Sequence, residues 1–279
     1  MRTKGLKTQG YKTGGTLRRG LLCIALGALI WLGGAQLRAQ LGMPLTFSLG
    51  KREAKPAQTT DVPQKNARAS AEISLTGRTW YALQLGAFTQ ENAAWQLSQE
   101  FIPRGAAGYV CVQEGVFRVY AAAYPTRAEA QSVQTRLSDQ GVTTYIQLLN
   151  EPAVTLRAAG TQKQVEAVSE ALQYLNTLST KFLSLSTALD RQEMDAASAL
   201  SALNSEGSTC IALQKALENA FDGDVDAAVQ PLHALLGSLA GECGQNNLSA
   251  ARTGAALKRC QLTVAVGLRE FAAQTAGES

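Results

Sequence analysis

The sequence predicts an α+β protein in which a compact strand-helix-strand-strand-helix-strand unit follows one apolar N-terminal helix and precedes an all-α bundle. Three observations carry this. Period-two alternation begins at Trp80 and returns in later short runs separated by amphipathic helical stretches. From Thr161 onward, apolar residues recur at steps of three and four. An uncharged apolar run at 20–37 follows a one-sided basic leader.

The leader, residues 1–19, carries Arg2, Lys4, Lys7, Lys12, Arg18 and Arg19, all ahead of the first acidic residue, Glu53. Basic residues on one flank of an apolar segment are the positive-inside pattern of a segment whose N-terminus stays in the cytoplasm. As a helix, residues 20–37 would span about 27 Å, just enough to cross a hydrocarbon core. Arg38 would lie at the far interface. The expectation is a single-pass cell-membrane protein with an N-terminal cytoplasmic leader and extracytoplasmic domains beyond it. A cleavable signal segment, with Ala35 and Ala39 as small residues near the cut, is the alternative, and both readings export everything downstream.

Residues 38–78 read as a linker. Its later part is short of large apolar residues and carries Pro56 and Pro63 among Lys, Gln, Thr, Asn and Ala, too little to bury a core. Fully extended, residues 51–78 reach roughly 90 Å; as a coil they span nearer 30 Å. Such a tether would let a domain search a layer outside the membrane.

The βαββαβ unit occupies 79–150. Trp80-Tyr81-Ala82-Leu83-Gln84-Leu85 alternates like a strand with one buried face, and Gly86-Ala87 ends it. A helix is expected over 91–102, with Ala94, Leu97 and Phe101 along one side and Pro103 and Gly105 closing it. Strands at 109–113 and 116–122 flank Glu114-Gly115, a two-residue hairpin turn. Thr126-Arg127-Ala128-Glu129 is a capping box opening a helix that buries Ala130, Val133 and Leu137 and stops at Gly141. A fourth strand occupies 143–149. This order is the ferredoxin-like, RNP-like split βαβ arrangement, in which both helices cover one sheet face and leave the other open.

The helical region covers 160–279. Thr161-Gln162-Lys163-Gln164 opens it as a capping box. Val165, Val168, Leu172, Leu175, Leu178, Phe182, Leu185 and Leu189 then line one stripe of a helix about 43 Å long. Further helices are expected at 192–203, 209–221, 225–240 and 248–274, with breaks at Gly207, at Asp222-Gly223 and at 241–247. Leu257, Cys260, Val264, Leu268 and Phe271 form the apolar side of the last. Short connections favour antiparallel neighbours and a separate bundle, packed on itself or on a partner.

Composition and residue types exclude several chemistries. With a net charge of +4 over 279 residues, bulk charge gives a nucleic-acid reading no support. The five cysteines, Cys23, Cys111, Cys210, Cys243 and Cys260, form no CxxC pair. There is one histidine, His233, too few for a zinc peptidase and set in a helical context with no nucleophile signature. No catalytic residue, metal site or cofactor is expected, and the chain reads as a non-enzyme. In an oxidising compartment two of Cys210, Cys243 and Cys260 would be bridged, or all would stay buried thiols; the sequence does not choose.

The segment from Thr79 to Leu149 resembles a SPOR domain, the septal peptidoglycan-binding module of bacteria. The resemblance rests on Tyr81-Ala82-Leu83-Gln84-Leu85-Gly86-Ala87-Phe88 with Asn92-Ala93, on Phe117-Arg118-Val119 before Tyr124, and on Ala130, Leu137 and Gly141. It departs from the family's pattern at Ala87, where a serine is usual, and at Val116, where an aromatic often precedes the arginine. The resemblance implies that the open sheet face binds glycan strands stripped of peptide stems, at a division or sporulation septum. Its contact residues fall on Gln84, Arg118 and the neighbourhood of Tyr145 and Ile146. Alternation places Gln84 and Arg118 on the open face, with Tyr120 in the same phase as a stacking surface. An amide and a guanidinium can hydrogen-bond sugar hydroxyls, acetamido groups and lactyl carboxylates.

The expected partners are therefore peptidoglycan glycan strands, the membrane through 20–37, and a protein partner or second copy through the C-terminal helices. Two other readings stay open. The helical bundle would make the chain an envelope scaffold or oligomerisation protein. An RNA-binding module shares the strand and helix order, but its Lys/Arg-Gly-Phe-type strand motif is missing and export would remove it from RNA.

Overall fold

The computed structural model describes residues 46–49 and 68–277. The basic leader and the apolar run at 20–37 lie outside the described residues; among those described, no helix is long and apolar enough to cross a membrane. In chain order the elements are β1 (Thr46–Leu49), β2 (Arg68–Leu75), β3 (Arg78–Phe88), α1 (Glu91–Phe101), β4 (Tyr109–Gln113), β5 (Val116–Tyr124), α2 (Arg127–Asp139), β6 (Tyr145–Glu151), β7 (Val154–Thr161), α3 (Gln162–Asp190), α4 (Ala196–Ala220), α5 (Gln230–Cys243) and α6 (Ala250–Gly277).

The βαββαβ unit forms as expected, as an antiparallel sheet in the order β4-β5-β3-β6. Its hairpin turn has both central residues at positive φ, Glu114 at 54° and Gly115 at 76°, the geometry that matches the twist of paired strands. Thr126 caps α2 by accepting from the Glu129 amide at 3.2 Å. Gly86 has no room for a side chain: a Cβ there would meet the Phe88 ring at 2.8 Å and Leu97 Cδ2 at 2.9 Å, so the glycine lets α1 close on the sheet. On the α1/α2 side, Leu83, Ala121 and Ala130 are buried among Tyr81, Leu85, Val133, Leu137 and Ile146.

The linker ends earlier than the composition suggests. Residues 68–75 form β2, which pairs antiparallel with β7, itself paired with β1, in a second sheet of order β1-β7-β2. Ile73 and Leu75, with Leu156 and Ala158 opposite, alternate with exposed Glu72, Ser74, Thr155 and Arg157. The buried side rests on α3. Two runs of one apolar residue in two are too short to bury a core alone, but together they give α3 a floor.

Arg78 and Glu151, at the start of β3 and the end of β6, tie the four-stranded sheet to α3. Arg78 Nη1 donates to Glu151 Oε2 at 3.1 Å, and Arg78 Nη2 donates to the Asn176 carbonyl of α3 at 2.5 Å. Trp80 Nε1 donates to Glu151 Oε1 at 2.5 Å. Burial pushes the Glu151 carboxyl above its usual range, and these two donors oppose that shift.

In the helical region α3 starts with a complete capping box between Thr161 and Gln164. The break expected at Gly207 does not occur, and α4 runs unbroken through it. The glycine instead marks a close helix contact, since a Cβ at Gly207 would sit 2.8 Å from Cys243 Cβ on α5. The chain does break at Asp222-Gly223, both at positive φ. Cys243 and Cys260 Sγ lie 3.4 Å apart as free, buried thiols, with Cys210 also free and buried. His233 Nε2 lies 2.9 Å from Glu218 Oε1.

The bundle is not a separate domain; the described residues all belong to one compact unit, and α6 is the reason. Leu257, Cys260, Val264, Leu268 and Phe271 turn into the bundle core, as expected. Leu262 and Ala265, on another side of the same helix, pack with Trp80, Ala82, Cys111, Tyr120 and Leu149 of the four-stranded sheet. A helix apolar on both sides belongs between two layers.

Two stability measurements check this packing. Gly207→Ala gains about 1 kcal/mol of helix propensity but forces a Cβ onto Cys243, and overpacking costs about 1–3 kcal/mol; the urea midpoint should fall. A rise would show that α4 and α5 are less tightly apposed. Leu262→Ala should lower stability by about 2–5 kcal/mol, as for a leucine buried on all sides. A loss under about 1 kcal/mol would mean that the sheet side of α6 is solvated.

Candidate functional site

Gln84, Arg118, Tyr120 and Tyr145 do share a sheet face. Gln84 on β3 stands opposite Tyr145 on β6 and, through a bulge that skips Ala121, opposite Tyr120 on β5. Arg118 on β5 stands opposite Cys111 on β4. Gln84 Oε1 accepts from Arg118 Nη1 at 3.0 Å, so the two residues expected to contact ligand are already bonded to each other.

That face is not open. The α6 helix crosses it, with Leu262 and Ala265 against Trp80, Ala82 and Tyr120. Three side chains of α6 donate to carbonyls of the βαββαβ unit: Lys258 Nζ to Gly105 at 3.2 Å, Arg259 to Ala107 at 3.0 Å and Gly108 at 3.2 Å, and Gln261 Nε2 to Ala123 at 3.1 Å. Such bonds satisfy backbone groups that the covered face would otherwise leave without partners.

The cover divides the expected site residues. Tyr145 is 63% exposed and Arg118 half-buried, whereas Gln84 retains only 7% of its surface and Tyr120 none. Tyr120 is therefore no stacking surface; it is a core residue beneath α6. Ile146 is also corrected, because it points to the other side of the sheet and packs with Leu83, Val133 and Leu137. A strand alternates faces, so Tyr145 and Ile146 could not both meet one ligand.

What remains accessible on this side is a strip along one end of the sheet: Tyr145 and Gln147 of β6, Arg118 of β5 and Gln113 of β4. Exposed Ala87 pairs with Arg118 across the β3–β5 ladder, leaving space rather than a hydroxyl beside the guanidinium. The strip offers a phenol, two amides and a guanidinium, groups suited to hydroxyl, acetamido and carboxylate partners.

Two polar atoms at its inner border have no hydrogen-bond partner among the described residues: Arg118 Nε and the Tyr120 hydroxyl. Burial pushes the Tyr120 phenol and the Cys111 thiol above their usual ranges, and in both cases Arg118 and Arg269 oppose the shift. Half-buried Arg269 of α6 continues the sheet-facing stripe of Leu262 and Ala265 by one helical turn.

A cleft of about 240 Å³ lies on the opposite side, floored by Leu83, Leu85, Phe101, Tyr124, Val133 and Leu137. Among the described residues no group of His, Cys, Asp and Glu could hold a metal ion.

No curated protein and no solved structure matches the chain. The SPOR domain family model matches residues 77–148, about a quarter of the chain and the same βαββαβ unit that carries Gln84, Arg118 and Tyr145. SPOR domains are binding modules for septal peptidoglycan, and residues 77–148 of this chain are a SPOR domain.

Proposed function

We propose that the chain is an envelope protein, anchored through 20–37, that binds glycan strands of peptidoglycan with the exposed strip of its SPOR domain during cell division or sporulation. The observation that carries this is the SPOR match over the unit that sets Gln84, Arg118 and Tyr145 side by side on one face. The basic leader and the apolar run supply the support for export and anchoring. The family's binding role supports a non-catalytic function.

Within this reading Arg118 is the principal donor, with Nη2 available beyond its bond to Gln84, and Tyr145 is the exposed aromatic for sugar rings. Gln84 acts through Arg118, whose guanidinium it holds in place. The scaffold reading fits less well, because the bundle's apolar stripes close on each other and on the two sheets.

The test is retention of the full chain on purified sacculi, before and after amidase treatment, with single-stranded RNA as the competing ligand. Arg118→Ala should weaken binding by about 1.5–3 kcal/mol, roughly tenfold or more, and Tyr145→Ala by about 0.5–1.5 kcal/mol. Equal retention of both variants and the parent would remove the strip from the account, and capture by RNA alone would replace the ligand. Septal position of a tagged full-length chain carrying both substitutions, against the parent, tests targeting without deleting the layer that α6 needs.

A further inference from the structure

We infer that Cys243 and Cys260 are a disulfide-forming pair, which closes as the chain folds in the presence of a disulfide oxidant and fastens α5 to α6. The inference is independent of glycan binding. Of the function proposed above it borrows only export, which would place these thiols where disulfides persist.

The fold selects the pair. Cys243 is the last residue of α5, and Cys260 lies on the side of α6 that turns into the bundle core. They are 17 residues apart in the chain, yet their Sγ atoms stand 3.4 Å apart and share a hydrogen bond. Both side chains are fully buried. A disulfide needs about 2.05 Å between its sulfurs, so a movement of about 1.4 Å shared by two side chains completes the bond. Gly207 of α4 limits how far Cys243 can retreat, since a Cβ there would already meet Cys243 Cβ at 2.8 Å. Cys210, three residues further along α4, is buried in the same core. A Cys243–Cys260 bond leaves it reduced, which settles a pairing that the sequence leaves open.

The reaction is two thiol–disulfide exchanges. The thiolate of one cysteine attacks a sulfur of the oxidant's S–S bond, forming a mixed disulfide and releasing one thiolate. The second cysteine, as its thiolate, attacks the mixed disulfide, forming the Cys243–Cys260 bond and releasing the other. The two protons lost by the cysteines are taken up by the departing thiolates, and two electrons pass to the oxidant.

Burial fixes the timing. In the packed bundle both sulfurs are out of an oxidant's reach, and the bond to Cys243 together with burial holds the Cys260 thiol well above its usual range, where little thiolate forms. Oxidation therefore belongs to the folding chain, and packing then shields the product from reductants. The closed loop contains the non-helical connection 244–249, in which Asn247 sits at a φ of 57°. A cross-link of this kind stabilises mainly by removing conformations from the unfolded chain.

The experiment refolds the reduced full chain in a glutathione redox buffer, blocks free thiols with an alkylating reagent under denaturing conditions, and digests with trypsin. Cys111, Cys210, Cys243 and Cys260 fall in different tryptic peptides, Cys243 in 216–252 and Cys260 in 260–269, so mass spectrometry reads the pairing directly. The expected product links those two peptides, with Cys111 and Cys210 alkylated. The oxidised chain should melt about 5–10 °C above the reduced one, and reductant should leave the melting temperature of Cys243→Ala unchanged. Alkylation of both Cys243 and Cys260, or Cys210 linked to either as the main product, overturns the inference; equal melting of the oxidised and reduced chains contradicts the fastening. The chain taken directly from cells should carry the same link. Free thiols there, with the link formed on refolding, keep the inference and count against export.

Discussion

The α6 helix has an apolar stripe on each of two sides, and the arrangement of the other elements reflects the need to bury both. Bundle-side residues Leu257, Val264, Leu268 and Phe271 match α3 and α5, while Leu262 and Ala265 require a second apolar surface, supplied by Trp80, Ala82 and Tyr120. Each large aliphatic side chain so buried is worth about 1.5–3 kcal/mol, enough to favour the covered sheet strongly over an open one. The donors Lys258, Arg259 and Gln261 then fix the helix against sheet-unit carbonyls, adding direction to an otherwise non-directional contact.

This constraint decides what the SPOR domain can present. A sheet of this topology normally has one face free for a ligand, but here most of that face is interior, and what stays accessible on it is the strip around Tyr145, Arg118 and Gln113. The same packing makes the sheet and the bundle one unit, so the C-terminal helix borders what the sheet leaves accessible.

The SPOR domain is legible in the sequence because each of its elements carries its own local signal: alternation at Trp80, the Glu114-Gly115 turn, the Thr126 cap. The second sheet is not, because its paired strands are remote in the chain, with Ser74 of β2 and Thr155 of β7 separated by 81 residues. Each strand alone shows only a few alternating positions, Ile73 and Leu75 in one, Leu156 and Ala158 in the other. Gly207 misleads because a glycine inside a helix can serve close packing instead of termination. Phase alone correctly places Gln84 and Arg118 on one face, yet phase says nothing about what lies above that face. The clue is the uncharged run from Cys260 to Leu268 in α6, which is apolar on more than one side.

Hydrogen exchange of the full chain, resolved residue by residue under native conditions, tests the sandwiched helix most directly. If α6 is the shared core, amides from Thr253 to Leu268 should exchange only with global unfolding, at the same free energy as those of β3 and β5. Exchange of α6 through a smaller opening, with β3 and β5 still protected, would mean that the helix lifts from an intact sheet and that the covered face is a transient state.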